Sequence, residues 1–88
     1  MKTIWKYTLD TIEHQVLYIK KPAKVLSVSS QGNQIVLYAE VDSEADMRDK
    51  INVWIHGTGH EVLAHDTADF LGTVKLMNEM LMFHVFVL

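Results

Sequence analysis

The sequence predicts a single all-β domain, a small antiparallel β-sandwich or barrel of about seven strands. Apolar and polar residues alternate in short runs along most of the 88 residues, and a period of two is typical of strands with one buried face. Polar or glycine-containing links separate the runs at short intervals, as they do in sandwiches and barrels. We therefore expect residues 1–88 to form one domain without an interdomain linker.

Four candidate strands lie in the first half of the chain, at residues 3–9, 15–20, 24–30 and 34–41. The turn at 10–13 predicts that the first two form a hairpin. The second is expected to end near Pro22, because proline cannot donate a backbone hydrogen bond to a neighbouring strand. The loop Gln31-Gly32-Asn33 predicts another hairpin, since it contains glycine and has a length that hairpins favour. The fourth run is apolar along one whole face and partly apolar on the other, which predicts a core strand.

The second half provides the remaining candidates, at residues 51–56, 60–64, 70–76 and 81–88. The charged link 42–50 is too short for a packed helix, and we expect it to lie in solvent. We expect residues 60–64 to pair with 51–56 as a hairpin. Residues 70–76 and 81–88 are expected to pair around the turn 77–80. The final run is apolar on both faces, which predicts either a central strand or a strand in a subunit interface.

The composition is that of an ordinary globular domain, with 49% hydrophobic and 22% charged residues. A chain of this length buries only about 60% of the surface that its unfolded form exposes, which leaves a thin margin of stability. The chain has no cysteine, so disulfides and thiolate-bound zinc cannot supplement the core, and a thiol nucleophile is excluded. We therefore expect a homo-oligomer in which a second subunit covers apolar surface.

Charge and hydropathy exclude several classes of partner. The net charge of −3 at pH 7 disfavours duplex nucleic acid, which requires a basic surface to neutralise its phosphates. The cluster of Lys20, Lys21 and Lys24 is more typical of a sheet edge than of a binding surface. No apolar run is long enough for a signal peptide or a membrane span. The sequence therefore predicts a soluble cytoplasmic protein with no membrane partner.

The segment His56-Gly57-Thr58-Gly59-His60 is the strongest candidate for a functional site. Its three central residues suit a hairpin loop, with Gly59 in the left-handed conformation that such a loop needs. His56 and His60 would then face each other across the hairpin, with Cβ atoms roughly 4.5–5.5 Å apart. The segment is therefore compatible with a tight turn, a metal clip or an anion-binding loop.

A metal site needs more ligands than this segment contains. A catalytic zinc takes three protein ligands, and the other candidates are dispersed along the chain: His14, His65, Asp66 and His84. The serines lie in no nucleophile-elbow or triad context. We therefore expect no metal, no cofactor and no enzymatic activity, with a metal-dependent hydrolase using His56 and His60 as an alternative. His84 itself lies in an apolar run and is expected to be a hydrogen-bonded core or interface histidine.

An anion-binding loop is the interpretation that implies a ligand. Successive backbone N–H groups of a glycine-rich turn can bind a phosphate or carboxylate, and Thr58 and His60 offer further donors. Trp54 precedes the segment, and an aromatic ring beside such a turn suits a nucleotide, with its base stacked and its phosphate bound. The expected ligand-binding residues are Trp54, His56, Gly57, Thr58, Gly59 and His60.

Four short segments carry a resemblance to a known group of proteins: Trp5-Lys6-Tyr7-x-Leu9, Gly57-Thr58-Gly59-His60, Leu71-Gly72-Thr73-Val74 and Phe83-His84-Val85-Phe86. In their order and spacing they resemble a family of small, largely uncharacterised bacteriophage and prophage proteins. The chain departs from that pattern at Glu61, where proline is expected, and at 77–80, where more glycine is expected. The resemblance implies a phage context, and with it the host cell cytoplasm, but no established chemistry.

Small phage proteins commonly act by binding, and some inhibit host defence by sequestering nucleotide immune signals between subunits. By this analogy of context, the leading hypothesis is a non-enzymatic, oligomeric protein that sequesters a small nucleotide. An alternative from another class is a protein–protein interaction module, which would inhibit a host protein or take part in phage assembly through exposed apolar faces.

Overall fold

The computed structural model describes all 88 residues and contains seven strands and no helix. The strands are β1 (Lys2–Leu9), β2 (His14–Lys20), β3 (Lys24–Gln31), β4 (Gln34–Asp42), β5 (Arg48–Gly57), β6 (Asp69–Leu76) and β7 (Leu81–Val87). They form a three-stranded sheet of order β1-β4-β3 and a four-stranded sheet of order β2-β5-β7-β6. Every neighbouring pair is antiparallel. The predicted all-β antiparallel fold is confirmed, in its sandwich-like form.

The core lies between the two sheets and is built from one apolar face of each strand. Its buried members are Leu9, Ile19, Ile35, Leu37, Ala39, Val41, Val53, Ile55, Val74, Leu76, Val85 and Val87. Four of them are the alternate residues of β4, as the period-two pattern of that strand predicts. On the other face of β4, Val36 is also buried, and Tyr38 and Glu40 are half-buried. The apolar final run is β7, a central strand that pairs with β5 and β6 of its own chain.

Two of the predicted hairpins are confirmed. Strands β3 and β4 pair from Gln31 opposite Gln34, and the intervening Gly32 and Asn33 have φ angles of 57° and 62°. Positive φ at both central residues is the requirement of a type I′ turn, which matches the twist of the flanking strands. Strands β6 and β7 pair around the turn 77–80, as predicted.

The predicted hairpin of the first two strands is wrong. Strand β1 pairs with β4 and β2 pairs with β5, so the two strands lie in different sheets. The link between them therefore crosses the end of the sandwich. The side-chain amide of Gln15 stabilises this crossing, because it accepts a hydrogen bond from the Asp10 N–H at 3.1 Å and donates one to the Asp10 carbonyl at 2.7 Å. The predicted end of the second strand near Pro22 is confirmed, since β2 ends at Lys20.

Two further features of the chain between β4 and β6 differ from the expectation. The charged link is shorter than predicted, because β5 already begins at Arg48 and only residues 43–47 separate it from β4. The predicted strand at 60–64 does not form, because the edge of β5 that it would occupy is paired with β7. Residues 58–68 instead form an irregular connection between β5 and β6.

One buried polar atom in the sandwich is unpaired. The Tyr7 hydroxyl on β1 is buried and has no hydrogen-bond partner, and burying a hydroxyl without a partner costs free energy. Burial raises the pKa of this phenol, an effect that the nearby guanidinium of Arg48 partly offsets.

The variant Tyr7→Phe should therefore be more stable than the natural chain. Removing the unpaired hydroxyl should raise the free energy of unfolding by about 1 kcal/mol, measured by urea denaturation at pH 7. The control Tyr18→Phe alters a tyrosine that is 59% exposed and should stay within about 0.5 kcal/mol of the natural chain.

The pH dependence gives a second measurement on the same variant. Because the folded-state pKa of Tyr7 lies above its ordinary value of 10.0, ionisation of Tyr7 favours the unfolded chain, and the free energy of unfolding falls as the pH rises from that value through the folded-state pKa. Tyr7→Phe should lack this alkaline loss. Equal alkaline slopes for Tyr7→Phe and the natural chain would contradict the assignment.

Candidate functional site

The candidate site lies on the outer face of the four-stranded sheet. Strands β5 and β7 place Ile55 opposite Val85 in the core and His56 opposite His84 on the outer face. Trp54 and Phe86 form the next outward pair, because residues two apart in a strand share a face. The outer surface of these two strands therefore carries aromatic and imidazole rings.

The connection 58–68 lies over this surface and creates a cleft of about 230 Å³. We call it the aromatic cleft. Its lining consists of the turn from Gly57 to His60, the side chains of Val62, Phe70 and Phe86, and the two histidines His56 and His84. No lysine, arginine or carboxylate belongs to this lining.

Two phenyl rings form the apolar part of the cleft. The ring centroids of Phe70 on β6 and Phe86 on β7 lie 5.4 Å apart at an angle of 60°, a tilted arrangement that aromatic pairs prefer. The imidazole of His56 lies 6.0 Å from the Phe86 ring. Phe70 is 57% exposed, so its ring is open to a ligand.

A β-bulge in β6 places Phe70 in the cleft. Phe70 is paired with the outward-facing Phe86, whereas Gly72 is paired with the inward-facing Val85, and the register shifts between them. Without the bulge, residues 70 and 72 would share a face. At Gly72 an added Cβ atom would lie 3.1 Å from a methyl carbon of Val28 on the opposite sheet, so a side chain there would press against Val28.

His84 is held between two threonine hydroxyls. Its Nε2 atom is 2.8 Å from Oγ1 of Thr58 in the turn, and its Nδ1 atom is 2.9 Å from Oγ1 of Thr73 on β6. These bonds fix the imidazole plane at the rim of the cleft. His84 is hydrogen-bonded, as predicted, but it lies half-buried on the outer face of the sheet and not in the core.

The turn has a different geometry from the predicted hairpin loop. The His60 N–H donates to the Gly57 carbonyl at 3.1 Å, and Gly59 has a φ angle of 86°. A positive φ at the third residue of a four-residue turn is the requirement of a type II turn and explains the glycine. The His60 ring folds back onto Gly57, where an added Cβ atom would lie 2.9 Å from its Cε1 atom.

The predicted opposition of His56 and His60 across a hairpin is wrong, since the cross-strand partner of His56 is His84. His56 is the one polar residue in the chain that is buried, at 3% exposure. Its Nε2 atom accepts a hydrogen bond of 3.1 Å from the backbone N–H of Leu63. That atom is therefore already engaged and is not free to bind a metal.

The other metal-ligand candidates lie apart. His65 bonds locally to Thr67, and His14 bonds to Asn52 through its Nε2 atom at 3.0 Å. No three His, Asp or Glu side chains in the chain come close enough together to hold a metal ion. The metal-dependent hydrolase considered from the sequence therefore has no assembled ligand set in this structure.

Of the six residues expected to bind a ligand, five line the cleft and one does not. Trp54 lies on the same sheet face, but its ring stacks on His14, with centroids 5.0 Å apart and an interplanar angle of 29°. Sequence reasoning missed Val62, Phe70, Phe86 and Thr73 as members or neighbours of the site. The available signal was the final apolar run, because its alternate residues must emerge on the outer face if the strand is central.

A larger depression lies at the tips of the β3–β4 and β6–β7 hairpins. It measures about 590 Å³ and is lined by polar and aliphatic residues around Asn33 and Met77, with Lys75 and Glu79 at its edge. The Lys75 ammonium pairs with the Glu79 carboxylate at 3.8 Å. Because this depression contains no aromatic ring, we assign the candidate site to the smaller aromatic cleft.

Fold and cleft together define a small antiparallel β-sandwich that carries an aromatic and histidine-lined cleft on the outer face of its larger sheet. The chain belongs to the family described as a domain of unknown function, DUF7352, which matches it over residues 1–88. No curated protein and no solved structure matches it significantly. The structure contains no helix of the length and hydropathy needed to cross a membrane.

The variant Gly57→Ala should displace the His60 ring without unfolding the chain. The new methyl group would overlap the ring at 2.9 Å, but His60 is exposed and its side chain can rotate away. We expect a change of less than about 1 kcal/mol in the free energy of unfolding and shifted His60 ring resonances in NMR spectra.

The matched control is Gly59→Ala. At Gly59 no atom lies within 4 Å of the added Cβ position, but φ is positive, so alanine would strain the backbone by about 1 kcal/mol. Chemical denaturation should therefore show the larger loss for Gly59→Ala. Unchanged His60 resonances in Gly57→Ala would contradict the contact.

Proposed function

We propose that the chain is a non-enzymatic binding protein and that the aromatic cleft holds the planar ring of a small ligand, with nucleosides and nucleotides as the ligand class. The observation that supports this most directly is the combination of two phenyl rings with a threonine–histidine pair at the rim. Aromatic faces stack on nucleobases. The Thr58 hydroxyl, which His84 holds in place at 2.8 Å, can both donate and accept and so has a second hydrogen bond to offer the edge of such a ring.

The size of the cleft limits what one chain can hold. Its volume of about 230 Å³ is below the roughly 300–1,000 Å³ of ordinary small-molecule pockets. One base with part of its sugar suits this volume, whereas a cyclic dinucleotide or trinucleotide exceeds it. For these larger ligands the proposal includes a homo-oligomer, in which a second copy covers the exposed side of the cleft and of Phe70.

The charge of the cleft indicates how the rest of the ligand is bound. No lysine or arginine lines the cleft, so a phosphate group would have no permanent cation beside it. The backbone N–H groups of Thr58 and Gly59 form no hydrogen bond within the chain, and the imidazole of His60 lies beside them in the turn. These groups form the anion-binding part of the proposed site.

The biological role that we propose follows from the resemblance to phage and prophage proteins. In that context the chain would act in the host cytoplasm and sequester a nucleotide signal of host defence. A protein that sequesters a signal needs affinity and no chemistry, which agrees with a site formed by phenyl rings, one hydroxyl and imidazoles.

Isothermal titration calorimetry tests the proposed function. The panel should contain adenine and guanine mononucleotides, cyclic dinucleotides and trinucleotides, and ADP-ribose derivatives, at pH 7.5. We expect heat of binding for at least one member, and analytical ultracentrifugation should show the number of chains per bound ligand. Flat titrations across the whole panel would refute the proposal.

The variant Phe70→Ala should then weaken binding. Stacking of a base on an aromatic side chain is worth about 1–3 kcal/mol, so affinity for the ligand identified in the panel should fall by roughly tenfold or more. Phe70 is 57% exposed, and its loss should leave the fold intact.

Tyr18→Ala is the matched control for this variant. Tyr18 is 59% exposed and lies on β2, on the same sheet but outside the cleft. It should bind like the natural chain. Equal losses for the two variants would show that the ligand binds elsewhere on the sheet.

A second candidate function is a protein–protein interaction module. It is favoured by the exposed apolar side chains beside the cleft, namely Val62, Leu63 and Phe70, since such clusters mark interaction surfaces. A pull-down from host lysate separates the two candidates. A nucleotide-binding protein should retain its ligand affinity when pure, whereas an interaction module should capture a protein partner that Phe70→Ala releases.

A further inference from the structure

Two hydrogen bonds attach the connection over the aromatic cleft to the outer face of the sheet. We call residues 58–68 the strap. The Thr58 hydroxyl bonds to His84 at 2.8 Å, and the Leu63 N–H donates to His56 at 3.1 Å. The remaining hydrogen bonds of the strap are local ones, such as that from Ala68 to the His65 carbonyl. Both attachments therefore end on imidazoles, and these imidazoles are cross-strand partners.

The two attachments respond differently to a proton. A backbone N–H can only donate, so the bond from Leu63 requires that Nε2 of His56 carries no proton. A hydroxyl can donate or accept, so the Thr58 bond persists when His84 is protonated, with the donor and acceptor exchanged. Only the His56 attachment is lost when its imidazole becomes an imidazolium.

Burial strengthens the difference. His56 is 3% exposed under the strap, and a buried charge without a partner is costly. The Phe86 ring at 6.0 Å offers an imidazolium only a weak cation–π contact. Movement of the strap admits water to the ring and removes both the cost of burial and the clash between two N–H groups.

The other titratable groups around His56 do not replace the lost bond. His84 faces it from β7, His60 lines the same cleft, and His14 lies beyond Trp54 on β2. The charged groups of the strap and of the start of β6 are Glu61, Asp66 and Asp69, all of them exposed and screened by solvent. They can attract a protonated His56, but none of them lines the cleft.

We propose that neutral His56 latches the strap over the aromatic cleft and that protonation of His56 releases it. The closed form carries no proton on Nε2 and the open form does, so the open population grows as the pH falls. The release of the strap is inferred from the structure alone. Its consequence is that the cleft opens to ligand in acid, and this consequence rests on the proposed function.

Amide hydrogen exchange measured by NMR without any ligand tests the latch. Between pH 7.5 and pH 5.5 the protection factor of the Leu63 amide should fall by at least about tenfold, within the hundredfold limit that uptake of one proton sets over two pH units. The Ile55 amide, which donates to the Glu13 carbonyl at 3.1 Å, should keep its protection factor and thus report that the sheet stays folded. An unchanged protection factor at Leu63 would overturn the latch.

Two variants separate His56 from His84. His56→Phe removes the acceptor, so Leu63 should be unprotected at both pH values. Thr58→Val removes the other attachment, and the pH-dependent fall at Leu63 should remain. Persistence of that fall in His56→Phe would overturn the assignment to His56.

The tautomer of His56 gives a test that needs no variant. At pH 7.5, a long-range ¹H–¹⁵N spectrum should show the proton of His56 on Nδ1 and none on Nε2. A proton on Nε2 would overturn the latch even if a variant fails to fold. Because no ligand is added, failure here leaves the calorimetric test of binding unaffected, and flat calorimetry leaves the latch intact.

Discussion

The pairing of β5 with β7 at the centre of the larger sheet is the constraint on which the rest of the structure depends. Both strands are covered on the inner face by the opposite sheet, so every second residue must be apolar and buried. The residues between them must then emerge together on the outer face. In this chain they are rings: Trp54 and Phe86 in one pair, His56 and His84 in the next. The pairing of β5 with β7 thus places core residues on one face of the sheet and the cleft residues on the other.

The buried faces of strands and the positions of turns could be predicted from the sequence, because each is decided by a few adjacent residues. The alternation of β4 identified its core face, and Gly32-Asn33 identified a hairpin, since both positions need positive φ. Which strand pairs with which is not decided by adjacent residues. The alternation in 3–9 and 15–20 shows that each strand has one face to bury, but it does not specify which neighbour completes the sheet, and the expected hairpin of these strands was therefore wrong.

Only the local part of the candidate site could be predicted, because the rest depends on which strands pair. The Gly57–His60 segment has the composition of a turn and was found directly. The groups that complete the cleft come from strands 70–76 and 81–87, which are brought beside the turn only by the β5–β7 pairing. The same pairing excludes a strand at 60–64, because the edge of β5 is already occupied. Residues 60–64 therefore belong to the irregular strap and form no strand.

The β6 bulge shows that packing and site are coupled. The two sheets approach so closely at Gly72 that a side chain there would meet Val28 at 3.1 Å, and the extra residue of the bulge turns Gly72 inward and Phe70 outward. A regular strand would place both on one face. It would thus turn either the Phe70 ring inward or Gly72 outward, away from Val28. Phe70 therefore reaches the cleft because of how the sheets pack, and a change at Gly72 would alter the cleft from the core side.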